Sequence, residues 1–181
     1  MTSKNLIILF PGSGYTVNHP LLFYARFKYR AKGYECISID YGDCVRKDLT
    51  LDEVIENIKT FILSQVKVID FSSYNDIIFV SKSIGTTIAG WLAARLQNNN
   101  IRHIYLTPLE QTLQYIAADK NIGLVVCGTK DKLMPADILE GHCNKANIKL
   151  KLIAHVGHNL EIPGDAPASI EILKQIVKAY P

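Results

Sequence analysis

The chain has 181 residues, with 20 Lys and Arg against 17 Asp and Glu, a net charge of +3 and 48% apolar residues. That length suits a single domain over 1–181, with a core that needs no metal or disulfide, and the composition is that of a globular chain rather than a disordered one. A charge this small and dispersed leaves no nucleic-acid footprint, and no apolar run approaches the length of a membrane span.

The opening stretch, "MTSKNLIILFPGSG", carries one lysine and a short apolar run ending at Pro11. The run is too short for a secretory core and lacks a small-residue cleavage site, so it reads as a first strand over 6–10. A helix follows from Pro20, proline suiting the first helical position, and stops at Lys32 before Gly33. It carries the basic run "RFKYRAK", with Arg26, Lys28, Arg30 and Lys32. That run is either a plain solvated face or an attraction for anionic substrates. The second strand is read over 36–40. After it, Thr50 and Glu53 form a capping-box pair ahead of Leu51, Val54, Ile55, Ile58 and Ile62 at helical spacing.

A third strand (76–81) leads through Ser83 into a helix in which Gly85, Ala89 and Ala93 recur every fourth residue and form a small-residue face. The helix ends at the breaker run "NNN". The fourth strand (101–106) is followed by "TPLEQTLQYIAADKN", long enough for a loop and one helix. The fifth (122–128) precedes "CGTKDKLMP". The sixth (148–155) alternates, with Lys149 and Lys151 outward, as an edge strand would. A last helix, "ASIEILKQIVKAY", ends the chain.

Strands that are continuous apolar runs, alternating with helices, imply an α/β fold: a mostly parallel six-stranded sheet covered by helices on both faces. The cysteines at 36, 44, 127 and 143 show neither C-x-x-C nor zinc spacing. Cys36 and Cys127 lie in strand-like runs as small hydrophobes. No metal or other cofactor is expected, and the setting reads as reduced and cytoplasmic. Oligomeric state is not readable.

Ligands of such sheets bind beyond the carboxyl ends of the strands, so the polar residues there come first. Four strand ends stand out: "FPGSGYT", "VSKSIGTT", "GTKDKLMP" and "HVGHNLEIPG". Ser83 lies in a stretch close to G-x-S-x-G, with Ser81 where the first glycine would be. Read alone, it could equally be a hydroxyl capping a helix. Asp131 follows the fifth strand, and Gly157 releases the chain so that His158 can turn back. His155 competes for the latter role, although its place within the sixth strand restrains it. Asp137 and Asp40 compete with Asp131, Asp40 reading better as a turn residue. His19 reads as a helix-opening residue, with His103 in an apolar strand and His142 in a surface segment.

These four segments, in this order from the first strand to beyond the sixth, resemble the α/β-hydrolase superfamily, whose members order nucleophile, acid and base in this way. The resemblance implies that Ser83 is the nucleophile, His158 its base and Asp131 the residue that orients the imidazole. It implies an oxyanion site made by the backbone N–H groups of Ile84 and of the "PGSG" loop, at Ser13 or at Gly14, with Ser13 preferred. Gly14 and Tyr15 are candidate substrate contacts. Relatives commonly carry two further strands at the start and a lid after the fourth strand here. This chain therefore reads as a reduced, lidless core with strand order 2-1-3-4-5-6 and an open site. The implied function is a serine hydrolase for small esters, thioesters or short acyl substrates. A peptidase or amidase with the same triad is the runner-up, and a noncatalytic binding protein on the same fold is the third reading.

Overall fold

The computed structural model describes residues 4–118 and 121–181. Met1, Thr2 and Ser3 of the opening stretch lie outside the described residues, as do Asp119 and Lys120 of the segment after the fourth strand.

The apolar runs form β1 (Asn5–Phe10), β2 (Glu35–Ser38), β3 (Asp76–Lys82), β4 (Ile101–Leu106), β5 (Ile122–Gly128) and β6 (Leu150–Ile153). They assemble in the order β2-β1-β3-β4-β5-β6, every neighbouring pair parallel. This is the expected order. Between them lie α1 (Pro20–Ala31), α2 (Leu51–Val66), α3 (Ile84–Leu96), α4 (Leu113–Ala118), α5 (Ala136–Lys145) and α6 (Ala166–Ala179).

Period-two alternation divides each central strand between two cores. Leu6, Ile8 and Phe10 of β1 face α2 and α3 through Ile58, Ile62, Ile88 and Leu92. Ile7 and Leu9 face α1 and α6 through Leu22, Ala25, Tyr29 and Ile176. Each such buried aliphatic side chain contributes roughly 1.5–3 kcal/mol, which makes the sheet a rigid base for its strand ends. The α2 box forms as its sequence suggests: Glu53 N–H donates to Thr50 Oγ1 at 3.3 Å, and Thr50 N–H to Glu53 Oε2 at 2.8 Å.

Three elements differ from the sequence reading by two residues at an end. β2 stops at Ser38 rather than residue 40, because the Asp40 carboxylate accepts from Gly42 N–H and turns the chain. β6 covers four residues rather than 148–155, because Asn147 (φ 54°) and His155 (φ 66°) adopt left-handed turns on either side of it. His155 is thus an exposed turn residue rather than part of the strand. The last helix opens two residues early, at Ala166, where Asp165 accepts from Ala168 N–H and caps it. The basic end of α1 also does more than meet solvent: Lys28 Nζ donates to the Tyr180 carbonyl at 2.5 Å and Lys32 Nζ to that of Pro181 at 3.3 Å.

Among the described residues, no helix is long and apolar enough to cross a membrane. All four cysteines are free thiols.

Candidate active site

Ser83 stands between the last residue of β3 and the first of α3 with φ 55° and ψ −126°. A side chain in this region costs of order 1–3 kcal/mol, so the surroundings must hold it. Here Ser83 N–H donates to the Leu106 carbonyl at 3.0 Å, extending the β3–β4 ladder by one step. Its own carbonyl accepts from Thr86 N–H at 2.9 Å and from Thr86 Oγ1 at 2.6 Å. Thr86 and Thr87 in turn share the buried Thr112 hydroxyl, at 2.7 and 3.0 Å. Gly85 lets α3 start this close to β1, since a Cβ there would lie 2.4 Å from the Pro11 carbonyl oxygen. Ser81 fits where a glycine was expected because its Oγ donates to the Ile104 carbonyl at 3.4 Å.

Although Ser83 occupies the N-cap position of α3, its hydroxyl makes no capping bond. It points instead at His158, with Oγ 2.8 Å from Nε2. On the other side of the ring, His158 Nδ1 lies 2.8 Å from Asp131 Oδ2. A carboxylate can only accept, so Nδ1 carries the proton and Nε2 is left to accept from the serine. Asp131 is buried and also accepts from Leu133 N–H at 2.9 Å. Burial raises its pKa, but the hydrogen bonds from His158 and Leu133, and the attraction of the imidazole when it is protonated, outweigh that, so the carboxyl sits below its ordinary value. The structure therefore brings together Ser83, His158 and Asp131, as the sequence reading grouped them, and leaves the competitors apart. His155 donates its backbone N–H to Thr129 Oγ1, and Asp137 is exposed in the first turn of α5.

The glycine loop folds over the serine. Gly12 N–H donates to the Tyr15 carbonyl at 2.9 Å and Tyr15 N–H returns to the Gly12 carbonyl at 3.4 Å. The turn closes through its ends, and the Ser13 and Gly14 amides stand outside those bonds. Ile84 is the first residue of α3, so its N–H has no intrahelical acceptor. Ser13, Ile84 and Ser83 line one cavity of about 450 Å³, walled by Val45, Leu49, Val54 and Leu109, with Arg46 and Glu110 among its polar members. These apolar walls come from two separate crossover segments, so no local pattern announced them.

Tyr15 sits elsewhere. It lines a neighbouring cavity of about 500 Å³ with Leu160, Ile162 and Leu173, and its hydroxyl accepts from Leu21 N–H at 2.9 Å. Burial, offset in part by that bond, pushes its pKa up to about 12. Gly14 is exposed with open space about it. The segment after β4 forms a short 3-10 turn (Glu110–Thr112) and α4, with Leu109, Glu110 and Gln111 on the wall of the Ser83 cavity.

One buried neighbour of the site escaped the sequence reading. Lys82, immediately before Ser83, is 1% exposed. Its signal was a charge at the end of the alternation Ile78, Val80, 82, where the strand otherwise turns apolar residues toward α1 and α6.

No protein-family model matches the chain, and no curated protein matches it in sequence. Solved structures do match it. An alpha-beta serine hydrolase homologue from Coxiella burnetii superposes with a TM-score of 0.67 at 17% identity, over 99% of this chain and 86% of that one. Est1E from Butyrivibrio proteoclasticus, with ferulic acid bound, gives 0.68 at 16% identity over 97% and 88%. Alpha/beta hydrolase domain-containing protein 10 from mouse gives 0.61 at 12% identity over 98% and 90%. The chain has the α/β-hydrolase fold, spanning nearly its whole length.

Proposed function

We propose that this protein is a serine hydrolase that cleaves small carboxylic esters or thioesters through an acyl-enzyme on Ser83. The observation that carries the proposal is the serine held at positive φ with His158 Nε2 2.8 Å from its Oγ and Asp131 2.8 Å behind the ring. A serine hydroxyl is a weak nucleophile until a base takes its proton. His158 Nε2 accepts that proton as Oγ bonds to the substrate's carbonyl carbon. The carbonyl oxygen becomes an oxyanion held by the Ser13 and Ile84 amides, each such donor being worth about 3 kcal/mol of barrier. Collapse breaks the bond to the leaving oxygen or sulfur, which receives the proton from His158. A water molecule, deprotonated by the same imidazole, then releases the acid and restores Ser83. The ionised Asp131 keeps the proton on Nδ1 throughout and offsets the imidazolium charge.

The apolar walls beside Ser83 suit an acyl group of modest size, and the ferulic acid bound by Est1E is itself a small carboxylic acid. We place the protein in the cytoplasm, acting on small molecules. The expected result with p-nitrophenyl acetate and butyrate is a burst of nitrophenol equal to the enzyme present, followed by steady turnover. Matched p-nitroanilides should be cleaved at least about 100-fold more slowly, a gap of ~2.7 kcal/mol in the barrier. Anilide turnover matching the esters would favour the peptidase reading. No ester turnover at all would favour a binding protein.

A further inference from the structure

The end of β3 carries a feature that the hydrolase reading does not use. Alternation directs Ile78 and Val80 into the apolar core beneath α1 and α6. The next position on that face is Lys82, whose ammonium is enclosed rather than snorkelled to water. Its Nζ donates to the Thr107 hydroxyl at 2.5 Å and to the His158 backbone carbonyl at 2.9 Å, and it lies 5.3 Å from the centre of the Tyr15 ring. Thr107 is itself held at φ 45°, its N–H donating to the Val126 carbonyl at 2.7 Å. One lysine therefore joins the end of β3, the turn after β4, the glycine loop and the His158 loop.

We propose that Lys82 is a positioning residue for His158: its ammonium ties the histidine's backbone carbonyl to the Thr107 turn and thereby sets the imidazole over Ser83. This rests on the serine-hydrolase reading of the same site. Other backbone bonds of that loop, from His155 N–H to Thr129 Oγ1, Lys130 N–H to the Val156 carbonyl and Leu160 N–H to the Gly157 carbonyl, flank His158 without holding it. A charge-assisted bond is about twice as strong as a neutral one, and a shift of the ring by ~1 Å costs on the order of 100-fold in rate.

The lysine is also titratable in an accessible range. Burial lowers its pKa to about 8, against the opposing pull of Asp131, Cys127 and Glu161. Asp131 is ionised, while the Cys127 thiol, pushed up to about 12 mainly by burial, is neutral at this pH. The remaining groups against the ammonium, Thr107, Tyr15 and the His158 carbonyl, carry no charge there. The grip is thus full below pH 8 and weakens to a neutral amine bond above it.

The experiment compares wild-type protein, Lys82→Met and Lys82→Arg from pH 6 to 10. One readout is the p-nitrophenyl butyrate profile. The other is the low-field NMR resonance of the His158 Nδ1 proton, which needs no turnover. In the wild type, kcat should fall several-fold above pH 8 with KM little changed, and the resonance should broaden over the same interval. Lys82→Met should lower kcat by about 10- to 100-fold at pH 7, with an unchanged unfolding midpoint, no alkaline limb and a resonance weak at every pH. Lys82→Arg should keep the resonance and move the limb beyond pH 10. A wild-type resonance indifferent to pH, and unchanged in Lys82→Met, overturns the proposal whether or not the protein turns over esters. A normal resonance response with no ester turnover keeps the positioning role and rejects the hydrolase reading instead.

Discussion

Replacing His158 by alanine is expected to lower kcat for p-nitrophenyl esters by about 10⁴-fold or more while KM stays within a few-fold. The ring bonds Ser83 Oγ through Nε2 and Asp131 through Nδ1, so in the proposed mechanism one substitution removes the base, the acid for the leaving group and the partner of a buried carboxylate. In the proposed mechanism ground-state contacts to the substrate come from the cavity walls and remain, so the loss falls on kcat. Combining His158→Ala with Ser83→Ala should cost scarcely more than either change alone, because the residues act as one unit. Steady-state kinetics of the two single variants and the double variant check this. Additive losses would mean that the two residues work separately.

Gly128→Ala should have the largest effect on the fold, a loss of about 3 kcal/mol or more in denaturant unfolding, or failure to accumulate folded protein. The last residue of β5 is backed directly by the loop that carries His158. A Cβ there would lie 2.3 Å from the Val156 carbonyl oxygen and 2.7 Å from that of Gly157. Both are backbone atoms, so no rotamer change relieves the contact. Relief requires the His158 loop to move away from the turn bearing Asp131, which is otherwise fastened to it by Lys130 N–H on the Val156 carbonyl. Any folded Gly128→Ala protein should therefore also lose ester turnover. A variant with a native unfolding midpoint would show that the loop and β5 do not meet as described.

The fold was legible because its strands are buried on both faces, which turns them into unbroken apolar runs such as "LIILF" and "IGLVVCG". Where burial fades, legibility fades with it: the true ends of β2 and β6 depend on left-handed or side-chain-bonded turns at Asp40, Asn147 and His155, which hydropathy does not register. Ser83, Asp131 and His158 could be grouped because their order at strand ends resembles that of the α/β-hydrolases. Their 2.8 Å spacings are a product of loop closure, and no pattern in the chain encodes them. Tyr15 shows the limit plainly. Its neighbour Ser13 lines the Ser83 cavity, but the turn that joins them sends the ring beneath the Lys82 ammonium and into the adjacent hollow. Lys82 went unread because its meaning lies in three contacts from distant segments, Thr107, His158 and Tyr15.

The central claim is that Ser83 is an activated nucleophile, and covalent trapping tests it most directly. Wild-type protein incubated with a fluorophosphonate should gain one adduct, located by peptide mass spectrometry at Ser83, and lose its ester turnover in proportion. Ser83→Ala should gain none. An unlabelled wild type, or a Ser83→Ala protein that is labelled and turns over esters like the wild type, would contradict the account.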